Sequence, residues 1–126
     1  MKRLITSIIL LVITVSACIA ETIFLNNTVS SFTQDIDNAM QEASNENLDS
    51  AMQIADDISN RWQEQQPFIS TFINHERLEE IAQSIISMKT NLFKGQTEDF
   101  FVESEIAKTQ FNDLKDTEFP SIENIL

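Results

Sequence analysis

An apolar and almost uncharged run near the N terminus constrains this chain more than any other feature. Residues 2–3 are basic, and within residues 4–25 the single charged residue is Glu21. As an α-helix, this run extends over about 33 Å, against a bilayer hydrocarbon core of about 30 Å. A helix satisfies its own backbone hydrogen bonds in lipid, and a chain of 126 residues has too little protein to surround such a segment. We therefore predict a signal-anchor or transmembrane helix over residues 1–25.

Three kinds of N-terminal processing fit this segment. In the interpretation that we favour, it is an uncleaved signal anchor. In the second, Val15-Ser16-Ala17-Cys18 resembles a bacterial lipobox, and Cys18 would become the lipidated first residue of a lipoprotein. In the third, a signal peptide is cut after Ala17 or Ala20, where small residues suit a peptidase. The apolar run continues beyond Cys18, whereas a lipidated cysteine is usually followed by a polar tether, and this favours the anchor.

The distribution of charge predicts the orientation of the chain. Lys2 and Arg3 precede the apolar run, and basic flanks tend to stay cytoplasmic. We therefore expect a single-pass protein of the cell membrane, with a cytoplasmic N terminus and an extracytoplasmic domain over residues 26–126. The chain has a formal charge of −12, which disfavours binding of nucleic acid or anionic lipid by this domain. A solvated acidic surface explains that charge most simply, and the alternatives are a basic partner or loosely held cations.

The body of the chain is predicted to be all-α. It contains one Gly and two Pro and lacks Tyr, a composition that argues against a turn-rich β protein. Apolar residues recur every three or four positions, which is the spacing of one helix face. Four such stripes occur in order: Val29–Ala43, Leu48–Trp62, Leu78–Leu92 and Phe100–Leu114. We expect an antiparallel bundle of about four helices behind the N-terminal helix.

Short breaks between the stripes predict where these helices end. The polar residues 26–28 are followed at once by helical spacing, so the first body helix can run on from the anchor. Pro67 is expected to end the second helix, because the residue before a proline is pushed out of helical geometry. Gly95, the single glycine, stands where a left-handed C-terminal cap is needed, and Thr97 begins the next helix.

The layout of the whole chain resembles a known family. After the basic start and the apolar anchor, one helix closes on Trp62 shortly before Pro67. Phe72-Ile73-Asn74-His75-Glu76 comes next, and Glu123-Asn124-Ile125-Leu126 ends the chain. This arrangement resembles small bacterial membrane-anchored proteins described as domain of unknown function 4363. The resemblance covers nearly the full chain, although none of its motifs is specific alone.

The resemblance implies a role beside another protein rather than a reaction. Members look like partners of a neighbouring multi-spanning membrane protein, and the family transfers no catalytic residue. This chain departs from the pattern at Glu80, where an Asp is expected, and at the lipobox-like Cys18. The second departure concerns how the protein is anchored.

His75 and the glutamates after it form the one cluster in the sequence that resembles a chemical site. On a helix, His75 and Glu79 face the same way and could both touch a metal ion. A zinc-protease motif, however, needs a second His where Glu79 stands. The remaining ligands, such as Glu76 and Glu80, would all be carboxylates, which zinc rarely accepts. We therefore predict no metal, no cofactor and no catalytic residue.

Aromatic residues supply the candidates for interaction. Trp62 continues the second stripe and is expected in the core. Phe100 and Phe101 are neighbours, so they cannot both face one core. Two-sided burial within the bundle, which we slightly favour, explains the pair, and so does contact of one ring with a partner or with the membrane. The full set of candidate interaction or pocket residues is Trp62, Phe72, His75, Phe100 and Phe101.

Three functions follow from these observations. The main hypothesis is a non-enzymatic interaction or accessory module, anchored in the membrane and acting on a membrane protein. The alternative is a ligand-sensing bundle with a pocket between helices, lined by Trp62, Phe72 and Met88. A metal-assisted hydrolase that uses His75 is the remote alternative. The sequence leaves the oligomeric state open.

Overall fold

The computed structural model describes residues 1–71 and 73–118, with side chains as far as residue 115. Over this part of the chain it consists of four helices: α1 (Lys2–Ser44), α2 (Leu48–Ile69), α3 (His75–Phe93) and α4 (Thr97–Glu118). Each helix packs against two others, α1 and α3 both lying between α2 and α4. Short connections make successive helices antiparallel, so the four close into a bundle. The predicted all-α bundle is confirmed.

Helix α1 has two parts with different surroundings. Along residues 4–23 its apolar side chains are exposed, whereas from Leu25 onward one stripe of the helix is buried. Asn26 and Asn27 are exposed and Thr28 is buried, so the polar residues 26–28 do not interrupt the helix. The helix therefore passes without a linker from an exposed apolar rod into the bundle, across the predicted boundary at residue 25.

An aromatic cluster joins three helices in the core. Phe32 of α1 and Phe111 of α4 stack with ring centroids 5.0 Å apart. Trp62 of α2 meets both rings edge-on, at centroid distances of 5.8 Å and 5.4 Å. Trp62 is 2% exposed, as its place in the second stripe predicts. Dispersion and edge-to-face geometry at this junction hold α1, α2 and α4 in register.

The ends of α1 and α3 share one capping geometry. Gly95 has φ +77°, and the N–H of Gln96 donates to the carbonyl of Asn91 at 2.8 Å, as predicted for a left-handed cap. Glu46 takes the same conformation after α1, with φ 64°, and the N–H of Asn47 donates to the carbonyl of Glu42 at 2.9 Å. A left-handed conformation strains Glu46 but not a glycine.

The prediction that Pro67 ends α2 is wrong. The helix continues through Pro67 to Ile69. A proline inside a helix removes one backbone donor, but here it lies in the last turn, where little helix remains to be disturbed. Ile69 is buried in the core, and this burial favours the extra residues of helix.

Ion pairs across the bundle surface connect neighbouring helices. Asp35 of α1 pairs with Arg61 of α2. Asp56 of α2 pairs with Lys89 of α3 at 2.5 Å, and Asp37 of α1 pairs with Lys108 of α4 at 2.6 Å. Arg61 also lies over the ring of Phe32, 4.6 Å from its centroid, and donates to Ser31 Oγ at 2.8 Å. Such contacts specify which helices are neighbours more than they add stability.

Candidate membrane anchor and interaction surface

The first part of α1 is long and apolar enough to cross a membrane. Three of the five hydroxyl groups in residues 4–25 are satisfied within the helix: Thr6, Ser7 and Thr14 each donate to the carbonyl four residues earlier, at 2.8–2.9 Å. Groups that are paired in this way cost little to transfer into lipid. Cys18 is exposed on the same stretch of helix, among apolar neighbours.

Glu21 lies at the end of this stretch that is nearest the bundle. It precedes Leu25 by one turn of helix and lies on the same side, because residues four apart share a face. Leu25 is the first buried residue of α1. The single charge of the apolar run therefore lies close to the level at which the helix enters the bundle, where a carboxylate can reach water.

The end of the bundle that meets the apolar run is called here the base. It comprises residues 22–27 of α1 and, from the end of α2 to the start of α3, residues 65–71 and 73–75. The rings of Phe24 and Phe68 meet edge-to-face, with centroids 5.0 Å apart. Phe24 is half-buried, and Phe68 is 58% exposed. This contact holds the end of α2 level with the end of the apolar run.

His75 and Glu79 contact each other at the start of α3. His75 Nε2 lies 3.0 Å from Glu79 Oε1, and both side chains are largely exposed. Asn74 caps the helix by accepting a hydrogen bond from the N–H of Glu76 at 3.0 Å. Among the residues described, no three His, Cys, Asp or Glu side chains lie close enough together to hold a metal ion. The pair is an i, i+4 contact on the helix surface.

The remaining predicted interaction residues have different environments. Phe100 is buried and Phe101 is half-buried, with their ring centroids 5.5 Å apart. Trp62 and Met88 are both buried in the core. Phe72 lies outside the described residues, as do Pro120 and the C-terminal Glu123–Leu126.

A surface groove between α2 and α3 is a feature that the sequence reasoning missed. It has a volume of about 720 Å³, and its lining includes Met52, Asp56, Ile86, Lys89 and Phe93. Ile86 is 57% exposed and Phe93 is 77% exposed. These two residues lie seven positions apart, to one side of the Leu78–Leu92 stripe, and that spacing was the signal for a second apolar face on α3.

The apolar surface continues from this groove to α4. Ile86 also lines a shallower groove between α3 and α4, together with Val102, Asp99 and Glu103. Val102 is 57% exposed. We define the distal surface as the exposed residues Ile86, Phe93 and Val102 with the surrounding acids Asp56, Asp99 and Glu103. It lies on the part of the bundle away from the base.

Comparison with known proteins identifies the family. The family model described as domain of unknown function (DUF4363) matches residues 20–125, which is most of the chain. The resemblance noted from the sequence is thereby confirmed, and the chain belongs to this family. Comparisons with curated proteins and with solved structures found no match.

Proposed function

We propose that this member of the DUF4363 family is a non-enzymatic accessory module that α1 anchors in the membrane and that contacts a membrane protein on the extracytoplasmic side. The observation that carries the proposal is the continuity of α1 from the exposed apolar run into the buried stripe that begins at Leu25. A helix without a linker keeps the bundle at a constant height above the bilayer. Such an arrangement suits a contact with a neighbour in the same membrane.

The proposed orientation places Lys2 and Arg3 in the cytoplasm. Basic residues at the end of a membrane span favour the cytoplasmic side, and both lie directly before the apolar run. The uncleaved state is supported by the exposed apolar residues that follow Cys18, such as Ile19 and Ile23. Intact-mass analysis of the membrane-extracted protein distinguishes this state, a full-length chain, from a lipidated product that begins at Cys18.

The distal surface is the part of the bundle best suited to a protein partner. Exposed apolar side chains that cluster within an acidic rim are typical of interaction sites rather than of a plain solvated surface. The two grooves are lined by Asp56, which pairs with Lys89, and by Asp99 and Glu103, so acids outnumber bases there. Because the chain also has a formal charge of −12, the complementary partner is an apolar segment with basic flanks. We propose an extracytoplasmic segment of a membrane protein in this role.

A photo-crosslinking capture from native membranes tests the proposal. The full chain carries the crosslinker at Gln53, which lines the same groove as Phe93. We expect one membrane protein to be captured, and we expect Ile86→Glu or Phe93→Glu to reduce its yield about tenfold. Asn38→Glu adds the same charge on the exposed side of α1 and is the matched control, which should leave the yield unchanged.

Two results would contradict this proposal. One is equal recovery of the same protein, in an affinity pulldown without crosslinking, by a chain that has lost the bundle and retains the apolar run alone. The other is equal loss of capture in Asn38→Glu and in the two groove variants, because added charge alone would then explain the loss. Circular dichroism of each variant verifies that the bundle is folded.

A further inference from the structure

We propose that the base of the bundle is a second membrane contact, in which Phe68 inserts into the interfacial layer of the bilayer that α1 crosses. The proposal rests on the anchored state of α1 given under the proposed function. It adds that the bundle is seated on the lipid surface and does not stand clear of it.

The height of Phe68 follows from its contact with Phe24. Phe24 lies one residue before the end of the apolar run, and residues 4–25 match the thickness of the hydrocarbon core to within about 3 Å. The two ring centroids are 5.0 Å apart. Because α1 is continuous, an anchor that fills the hydrocarbon core brings Phe68 to the boundary between acyl chains and head groups.

The exposure of Phe68 fits a lipid environment. Its side chain is 58% exposed on the bundle surface, and the adjoining Pro67 is exposed as well. Ile23, next to Phe24 on α1, is 55% exposed. In water these apolar surfaces carry a hydration cost of about 25 cal/mol per Å², which burial in the interfacial layer removes.

The two segments that form the base contain no charged residue. Neither residues 22–34 nor residues 65–75 contain an Asp, Glu, Lys or Arg, although 22% of the chain is charged. On α1 the first acid above Phe24 is Asp35, about 16 Å along the helix. Glu64 and Glu76 flank the uncharged connection on either side. The start of α3 and the last turns of α4, which lie at the same end of the bundle, do carry charged residues. The uncharged side of this end is therefore the one formed by α1 and the end of α2, and that side presents Phe68.

Three carbonyls at the end of α2 are paired within the protein. The hydroxyl of Ser70 donates to the carbonyl of Pro67, and that of Thr71 donates to the carbonyl of Phe68, both at 2.7 Å. The N–H of Ile73 donates to the carbonyl of Ile69 at 3.0 Å. Carbonyls at a helix end would otherwise need water, so this pairing lowers the cost of moving the end of α2 into the interface.

Depth-dependent fluorescence quenching tests the proposal on the full chain. In a Cys18→Ser background, Phe68→Cys carries a small fluorophore, and the protein is reconstituted at high dilution into phosphatidylcholine vesicles. We expect acyl chains brominated near the head group to quench this label at least about twofold more than a label at Phe93→Cys. Phe93 is the matched control because it is an exposed phenylalanine far from the base. Aqueous iodide should quench the Phe93 label preferentially.

Because Phe68→Cys removes the ring that is proposed to insert, a second label reports on the base with that ring still present. Thr71→Cys keeps Phe68 in place and reports on the same connection, where Thr71 is exposed. The proposal is overturned if the labels at positions 68 and 71 respond to iodide as the Phe93 label does. It is overturned equally if they respond to neither quencher, because a second copy or another part of the chain would then cover them.

Flotation of the vesicles distinguishes a failure here from a failure of the proposed function. A chain that does not float with the vesicles, or that alkali extracts from them, lacks the anchor on which both proposals depend. A chain that floats and resists alkali while its base stays open to iodide contradicts the base contact alone.

Discussion

Single residues of the core show which interactions hold the helices together. Trp62 lies where α1, α2 and α4 meet, and it is buried against Phe32 and Phe111. Its indole N–H has no hydrogen-bond acceptor among the residues that the structure describes. A buried donor without a partner is unfavourable, so the packing of the ring and not its polar group is the stabilising contribution of this tryptophan.

Substitution of Trp62 separates these two contributions. We expect Trp62→Ala to lower the free energy of unfolding by about 3–5 kcal/mol, because it leaves a cavity between three helices. Trp62→Phe retains an aromatic ring and removes the buried donor, so we expect a loss of under about 2 kcal/mol. Denaturant unfolding of the full chain in detergent, followed by circular dichroism, measures both. Equal losses for the two variants would mean that the indole N–H has a partner.

Lys108 contributes through charge at the contact between α4 and α1. A hydrogen bond with Asp37 raises the pKa of Lys108 above its ordinary value of 10.5, burial opposes this effect, and the charges of Asp37 and Glu105 reinforce it. A raised pKa in the folded state means that the stabilisation is complete below the pKa of the unfolded chain. It is lost as pH rises through the higher pKa of the folded protein.

The corresponding variant is Lys108→Met. We expect it to lower the free energy of unfolding by about 0.5–1 kcal/mol at neutral pH, since Asp37 is largely exposed and the pair is screened by solvent. The difference from the natural chain should shrink as the pH passes above 10.5. Lys94→Met, at the exposed end of α3, is the control. If the loss in free energy of unfolding caused by Lys108→Met does not change with pH, packing of the aliphatic stem of Lys108 explains it, and its charge does not.

At the scale of the helices, the sequence predicted most of what the structure shows. The stripe from Val29, the left-handed cap at Gly95 and the start of α4 at Thr97 each depend on local spacing or local backbone chemistry. Pro67 was misjudged because burial of Ile69 outweighs the local preference for ending the helix there. Local chemistry is readable from sequence, whereas its competition with tertiary burial is not.

The two matching helix ends give a paired prediction. Glu46→Gly should raise the free energy of unfolding by about 0.5–1 kcal/mol, because glycine adopts the left-handed conformation without strain. Gly95→Ala should lower it by about 1 kcal/mol through strain alone, since a Cβ at this position would meet no atom within 4 Å. Glu46→Ala is the control for lost charge, because it keeps the strained Cβ. If Glu46→Ala stabilises the protein as much as Glu46→Gly does, the explanation by backbone strain is refuted.

At the scale of the whole molecule, the candidate surfaces depend on contacts between distant parts of the chain. The contact of Phe68 with Phe24 places Phe68 beside the end of the apolar run. The exposure of Ile86 depends on which sides of α3 are covered by α2 and α4. Helical spacing placed Ile86 and Phe93 on one face but did not show whether another helix covers that face. For this reason the fold was predictable from the sequence, whereas the distal surface and the base were not.

The central claim, that one rigid helix both spans the bilayer and builds the bundle, is tested most directly by nitroxide scanning of α1. Single spin labels are placed along the full chain in vesicles, in a Cys18→Ser background. We predict that labels at Ile13 and Ile19 collide with dissolved oxygen, and that a label at Asn38 collides with an aqueous nickel chelate. Across residues 24–36 accessibility should follow one unbroken helical period. Nickel access at Ile13, or loss of the period at residues 26–28, would contradict the account.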